Sequence, residues 1–197
     1  YESRLGLIKS ITSYQEYFNE FSMDRDATTV NLYDTFDTST TETITQEFNW
    51  NIDLKGSSWI LGAFLMDDDT SRRTLFDLPL PVFGFPVPGK LEWDHQSIDI
   101  KSKAFFIDGT FDLDEKTELS LGLRRTKDEF KSIQLNRVFL NLGQFIPVST
   151  TCDRKINQNF ESDTSRLVIK RILNNRFNAY LSYSEGFKAG GIATYEC

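Results

Sequence analysis

Cysteine and histidine are scarce in this chain of 197 residues, which holds only Cys152, Cys197 and His95. Three such side chains cannot build a four-ligand zinc site on their own. The two cysteines stand far apart in polar surroundings, which leaves an incidental pair of thiols or a disulfide. Long apolar runs are also missing: none approaches the roughly 18–20 residues of a membrane-spanning helix. Basic charge is in deficit, with 22 Lys+Arg against 29 Asp+Glu and a formal net charge of −7. A nucleic-acid binder needs a basic stripe to displace counterions, so this balance argues against one. No targeting signal stands at the front, where Tyr1 is followed by neither a basic segment nor an apolar one. The end at Cys197 comes soon after a glycine-rich stretch, and both ends read as cuts through a longer protein. The expectation is one partial domain over residues 1–197.

What the chain does have is aromatic residues, 14% of the total with 17 Phe, on a hydrophobic share of only 39%. A chain that is polar on average can still sit in a membrane if its apolar residues alternate with polar ones. The alternation is present around three turn-like segments about sixty residues apart: Asp53-Leu54-Lys55-Gly56-Ser57-Ser58, Asp114-Glu115-Lys116-Thr117 and Asn174-Asn175-Arg176. Before the first turn, Ile44, Phe48, Trp50 and Ile52 share one parity. After it come Trp59, Leu61, Ala63 and Leu65, with Ile60, Gly62, Phe64 and Met66 opposite. Phe105, Ile107, Phe111 and Leu113 precede the second turn; Leu119, Leu121 and Leu123 follow it. Phe177, Ala179, Leu181 and Tyr183 follow the third. This period of two is the signature of a β-strand with one apolar and one polar face. The stretches 5–18 and 166–172 alternate less well.

Three longer connections, about 24–41, 70–97 and 136–163, separate these hairpins. All exceed the length usual for a structureless loop in a compact domain. Tight turn and long loop thus alternate through about seven strands, each long enough to cross a bilayer when tilted. An antiparallel transmembrane β-barrel has this one-sided loop distribution. Aromatic residues fit two interfacial girdles, with Trp59 and Phe177 beside tight turns and Tyr183 and Phe187 nearer the opposite end. A soluble, carbohydrate-binding β-sandwich also alternates in period two but gives no reason for long loops at one end only.

The segment Tyr180-Leu181-Ser182-Tyr183-Ser184-Glu185-Gly186-Phe187-Lys188-Ala189-Gly190-Gly191 resembles the barrel signature of TonB-dependent outer-membrane receptors. Further pieces match in the family's order. They are Lys9-Ser10-Ile11-Thr12-Ser13-Tyr14 with Asp24-Arg25-Asp26, Thr45-Gln46-Glu47-Phe48, the strand from Trp59 to Phe64 with Gly62, and Leu119-Ser120-Leu121-Gly122-Leu123-Arg124. The resemblance implies a piece of a 22-stranded barrel in the outer membrane of a Gram-negative bacterium. It also implies a plug domain and a TonB-contacting segment, neither of which this stretch contains. The implied function is TonB-energised uptake of an iron–siderophore or similar chelate, without covalent chemistry and without a cofactor. Implied partners are the chelate, the TonB system through the plug, and outer-membrane lipid. The alternatives are the soluble sandwich and a small non-transporting outer-membrane barrel.

No catalytic constellation emerges from the residues. His95, in Trp93-Asp94-His95-Gln96, has no nucleophile beside it and reads as a solvated loop histidine, with ligand contact as the other reading. Asp67-Asp68-Asp69 lacks the alternating ligands and glycine of a calcium loop, and reads as wet carboxylates where a strand leaves the membrane. Gly186, Gly190 and Gly191 lack the strand-to-helix context of a phosphate cradle and read as bulge or close-packing glycines. The candidate ligand-contact residues are of two kinds. Phe83 and Phe85 lie in the apolar, proline-rich stretch 78–88, with Trp93 just beyond it; such a stretch either contacts a ligand or folds over the barrel mouth, as exposed apolar recognition patches do, or packs against neighbouring loops. Arg124, Asn178 and Tyr180 fall on the polar parity, where they line a ligand's path or hydrogen-bond the plug. No metal ligands are expected on this chain.

Overall fold

The computed structural model describes residues 1–3, 6–29, 33–77, 91–141 and 145–191. They form one antiparallel sheet in which every strand pairs with its sequence neighbours. After a two-residue β1 (Glu2–Ser3), seven strands follow: β2 (Gly6–Asp24), β3 (Asp34–Leu54), β4 (Ser57–Asp77), β5 (Leu91–Asp114), β6 (Thr117–Asn141), β7 (Phe145–Asn174) and β8 (Phe177–Ser184). The expected seven-strand count and the period of two both hold.

Each tight turn falls where its sequence chemistry requires. Gly56 takes φ of +77° between β3 and β4, a conformation that costs glycine nothing and other residues more. Between β5 and β6, the Asp114 carboxylate accepts the Lys116 backbone N–H at 2.8 Å and the Thr117 hydroxyl at 2.9 Å. Between β7 and β8, Asn174 Oδ1 accepts the backbone N–H groups of Arg176 and Phe177 at 2.9 and 3.1 Å. Both are side-chain turns that stand in for a backbone hydrogen bond.

At the other end, the expected loops prove to be largely ladder. β3 starts at Asp34, β4 runs on to Asp77, β5 starts at Leu91, and β6 and β7 pair from Asn141 and Phe145. The reason is that polar contacts replace apolar alternation beyond the band. Asp37 accepts from Arg72 Nη2 at 3.1 Å and Nε at 3.3 Å and from the Thr74 hydroxyl. Thr41 and Thr70 hydroxyls meet at 2.9 Å, and Thr43 donates to Asp68 at 2.6 Å. A hydropathy pattern does not register such pairs.

Burial is inverted relative to a water-soluble domain. Among the described residues Ala104 is the only buried apolar side chain, whereas Thr35, Asp37, Gln96, Ser102, Thr117, Ser120, Ser132 and Gln134 are all buried. Directly paired residues on adjacent strands share a face, so the register sorts every side chain. One face carries the row Trp50, Leu61, Ile107, Leu123 and, nearer the turns, Leu119, Ile169 and Leu181. Leu123 is 62% exposed, Phe177 65% and Leu181 69%. No second sheet or helix covers this face among the described residues, which removes the sandwich alternative. The opposite face holds the polar residues and forms the inner surface of the wall.

Candidate functional site

The inner face is the candidate binding surface, and glycines shape it. Gly62 on β4 lies in register with Phe106 on β5, whose ring occupies the space where a Cβ at residue 62 would stand, 2.1 Å from its nearest atom. With that space filled by the ring, Phe106 forms a platform with Phe64. The Arg124 guanidinium carbon stands 5.7 Å from the Phe106 ring centre and 5.8 Å from that of Phe64. Ring faces attract a cation at this distance. Arg124 Nε also donates to the Thr126 hydroxyl at 3.1 Å. The result is a cation held on an aromatic floor yet still exposed to the interior.

Next to it, Ser102, Arg124, Thr126, Asp128, Thr164, Glu185, Phe187 and Ala189 line a polar cavity. Its roof is the chain after β8. The Glu185 backbone N–H donates to the Ser165 carbonyl at 2.9 Å, and the Glu185 carboxylate accepts the Ser165 N–H at 2.9 Å and hydroxyl at 2.7 Å. From there the chain turns in over the inner face, where Gly190 sits against the Phe160 ring. A Cβ on Gly190 would stand 2.6 Å from that ring, whereas Gly186 and Gly191 meet nothing within 4 Å. Of the three glycines expected as bulge or close-packing residues, Gly190 alone is closely packed. Phe187 lines the inner cavity, so it is not part of an outer aromatic girdle as its position in sequence suggested. Asp128 Oδ1 is buried here without a hydrogen-bond partner among the described residues. Sequence reasoning passed over Asp128, although it shares the parity of Arg124.

Arg124, Asn178 and Tyr180 do share the inner face, but they do not form one site. Tyr180 pairs with Lys170, which faces Glu118, and Asn178 lies one step nearer the tight turn. Three ladder rows separate Tyr180 from Arg124, about 20 Å at strand rise. Phe83 and Phe85 lie outside the described residues. Trp93 and His95 stand on β5, but their side chains lie outside the described part, as does that of Cys152; Cys197 lies outside it altogether. Asp67 and Asp69 share the outer parity, Asp68 the inner one. The Asp67 carboxylate accepts from Lys101 Nζ at 3.0 Å. No group of three or more His, Cys, Asp or Glu side chains able to hold a metal occurs among the described residues.

The outer face is apolar over the band between the tight turns and the polar extensions. Near the tight turns, Trp59 and Phe111 meet edge to face, with ring centres 5.0 Å apart and planes at 86°. Gly109 between them leaves room for the indole, 3.0 Å from where its Cβ would be. One curved sheet, apolar outside and polar inside, with no closing strand among the described residues, is the wall of a β-barrel.

Comparison with known proteins gives the family. Residues 2–196 match the model described as "TonB dependent receptor-like, beta-barrel". The chain belongs to that family. Its fold is similar to the crystal structure of the ferric yersiniabactin uptake receptor FyuA from Yersinia pestis, with a TM-score of 0.71 at 13% sequence identity. The likeness covers 91% of this chain and 25% of FyuA, so the chain spans about a quarter of that receptor's length. No curated protein matches the sequence.

Proposed function

We propose that this chain is a stretch of barrel wall from an outer-membrane receptor of a Gram-negative bacterium. The receptor takes up a small nutrient, an iron–siderophore chelate in our reading, with energy delivered by TonB through a plug domain elsewhere in the protein. The observation that carries this reading is the inverted burial: apolar side chains outside with nothing among the described residues covering them, polar ones inside. Such an arrangement is stable only where lipid is the outer solvent and water or protein fills the interior. Family membership supports a TonB-dependent receptor as the parent protein, and the likeness to the yersiniabactin receptor favours an iron chelate as cargo.

The function of the wall is binding and passage. Iron is carried by its chelator, so the wall supplies contacts and no metal ligands. Arg124 on its aromatic floor offers a fixed cation to an anionic group inside the barrel, whether on the cargo or on the plug. Phe83, Phe85 and Trp93 belong to the extracellular end in this reading and contact the cargo before it enters. Asn178 and Tyr180 lie at the opposite, turn end of the inner face and contact the plug.

The test is uptake of radiolabelled iron by cells that depend on the full receptor, supplied with a panel of siderophores, haem and cobalamin. A TonB-dependent signal for one iron chelate, reduced by F83A/F85A and by W93A, is expected. Uptake of a non-iron nutrient alone would overturn the cargo assignment, and uptake independent of TonB would overturn the receptor assignment.

A further inference from the structure

β8 stops at Ser184, opposite Arg166, while β7 stays paired with β6 as far as Phe145. No described strand covers the other edge of β7 beyond Ser165. In an antiparallel ladder the residues that direct N–H and C=O groups to one neighbour alternate. Ser165 donates and accepts toward the chain of β8, so Asp163 and Glu161 present their backbone groups to the uncovered edge. The sequence after Ser184 nevertheless keeps the strand pattern. Phe187 and Ala189 have the parity of Leu181 and Tyr183, and Gly186, Lys188 and Gly190 have that of Ser182 and Ser184.

What ends the ladder is a side chain. In a continued strand the Ser165 N–H donates to the Glu185 carbonyl; here it donates to the Glu185 carboxylate at 2.9 Å. That carboxylate also accepts the Ser165 hydroxyl at 2.7 Å and the Tyr183 hydroxyl at 3.1 Å. The Glu185 N–H still donates to the Ser165 carbonyl at 2.9 Å, so half of the next ladder pair is already made. Gly186 follows with nothing within 4 Å of where a Cβ would stand, and the chain swings inward until Gly190 meets the Phe160 ring. Between these two tethers, Phe187 and Ala189 line the polar cavity.

We infer that residues 185–190 are a two-state strap that gates the inner cavity. In the state described, the strap roofs the cavity of Arg124 and Asp128. In the other it joins the ladder: Glu185 pairs fully with Ser165, Phe187 with Asp163 and Ala189 with Glu161. Phe187 and Ala189 then stand on the outer face, and the cavity is uncovered. Each state satisfies what the other leaves. The ladder supplies the backbone bonds that the bare edge lacks, whereas the strap holds the Phe187 ring against the cavity wall, 37% exposed. Little has to move, since Gly186 absorbs the backbone rotation and the Ser165 N–H exchanges one oxygen of Glu185 for another. A guest that takes the space of Phe187 selects the ladder state. The device belongs to the wall itself and holds whatever the cargo is.

The test uses the full receptor that contains this segment, purified in detergent, with its native cysteines replaced by serine and the pair E161C/A189C introduced. In the ladder state these positions oppose each other on the outer face, about 5.5 Å apart between Cα atoms, within reach of a disulfide. In the strap state they lie on opposite faces of the sheet. Disulfide formation under copper phenanthroline is timed, and only the folded, SDS-resistant band is scored. E185A leaves the Ser165 N–H without its acceptor in the strap state alone, and is expected to speed the linkage about 10-fold or more. G190A acts at the other tether. Its Cβ would stand 2.6 Å from the Phe160 ring in the strap state, but at an ordinary cross-strand distance in the ladder state, so the linkage is expected to quicken here too. E185Q keeps an acceptor oxygen and is expected to fall between the parent and E185A. A linkage that neither E185A nor G190A speeds, whether absent or already fast in the parent, overturns the inference.

Discussion

The Asp108 carboxylate reaches the Arg166 guanidinium at 4.0 Å across Gly122, the residue that stands between them on the intervening strand. A Cβ on Gly122 would lie 2.4 Å from Asp108 Oδ2, so the pair spans two strands only because residue 122 has no side chain. Gly62 makes the same kind of room for the Phe106 ring. The two glycines nevertheless differ in what they protect.

At Gly122 the displaced atom is the end of a short, partly exposed carboxylate that can swing aside. Gly122→Ala loses an exposed ion pair worth about 0–1 kcal/mol and recovers about 0.5–1 kcal/mol of backbone entropy. Its thermal unfolding midpoint in the full receptor is expected to stay close to the parent's. Gly62→Ala forces a whole ring and the cation above it to move, with an overpacking cost of about 1–3 kcal/mol. A lower midpoint for Gly62→Ala than for Gly122→Ala is the result expected by differential scanning calorimetry, and the reverse order contradicts the packing described.

Leu121 faces outward in mid-band, whereas Ser182 faces inward on β8. In the outer-membrane reading proposed above, Leu121→Arg places a charge against lipid and costs about 2–4 kcal/mol at the bilayer midplane. Ser182→Arg meets the wet interior and is expected to fold with little loss. Urea midpoints of the reconstituted receptor separate the two, and equal losses would falsify the assignment of faces.

Hydrogen bonds from Lys116 N–H, and then from the Thr117 hydroxyl, hold the Asp114 carboxyl below its ordinary value. A carboxylate depressed on folding lends stability that is complete above its unfolded value and is lost as pH falls through the folded one. The turn between β5 and β6 therefore weakens in acid, below about pH 4. D114A is expected to flatten that part of the stability-against-pH curve without altering stability's remaining pH dependence, measured by urea unfolding at stepped pH.

Asp37 joins β3 to β4 beyond the apolar band through Arg72 and Thr74. Its removal leaves the Arg72 hydrogen bonds unmade, at about 1–3 kcal/mol. Hydrogen exchange in D37A is expected to quicken at residues 34–41 and 70–77 and to stay slow around Ile52 and Trp59. Uniform quickening along both strands would mean that the extension and the band unfold as one unit.

The strands inside the band were legible because apolar and polar residues alternate strictly there, as in Leu119, Leu121 and Leu123. The three tight turns were legible because Gly56, Asp114 and Asn174 carry turn chemistry in their own side chains or lack of one. The extensions past the band were not legible. Asp37, Thr41 and Thr70 are all polar, and only their cross-strand partners reveal that they form a ladder. Arg124 could be placed on the inner face by parity, but its aromatic floor could not, because Phe64 and Phe106 come from two other strands. Asp128 and Phe187 came together through the inward turn after Glu185, which has no hydropathy signature.

The order of residues along the chain determined which side chains share the apolar face and where the chain reverses, since both follow from a period of two and from local turn chemistry. The tertiary structure alone decided which residues meet across strands. Register is a property of the paired sheet: it set Lys103 against Lys127, Gly62 beneath Phe106 and Asp108 within reach of Arg166, contacts between residues that lie tens of positions apart in most cases and depend on every intervening hydrogen bond of the ladder.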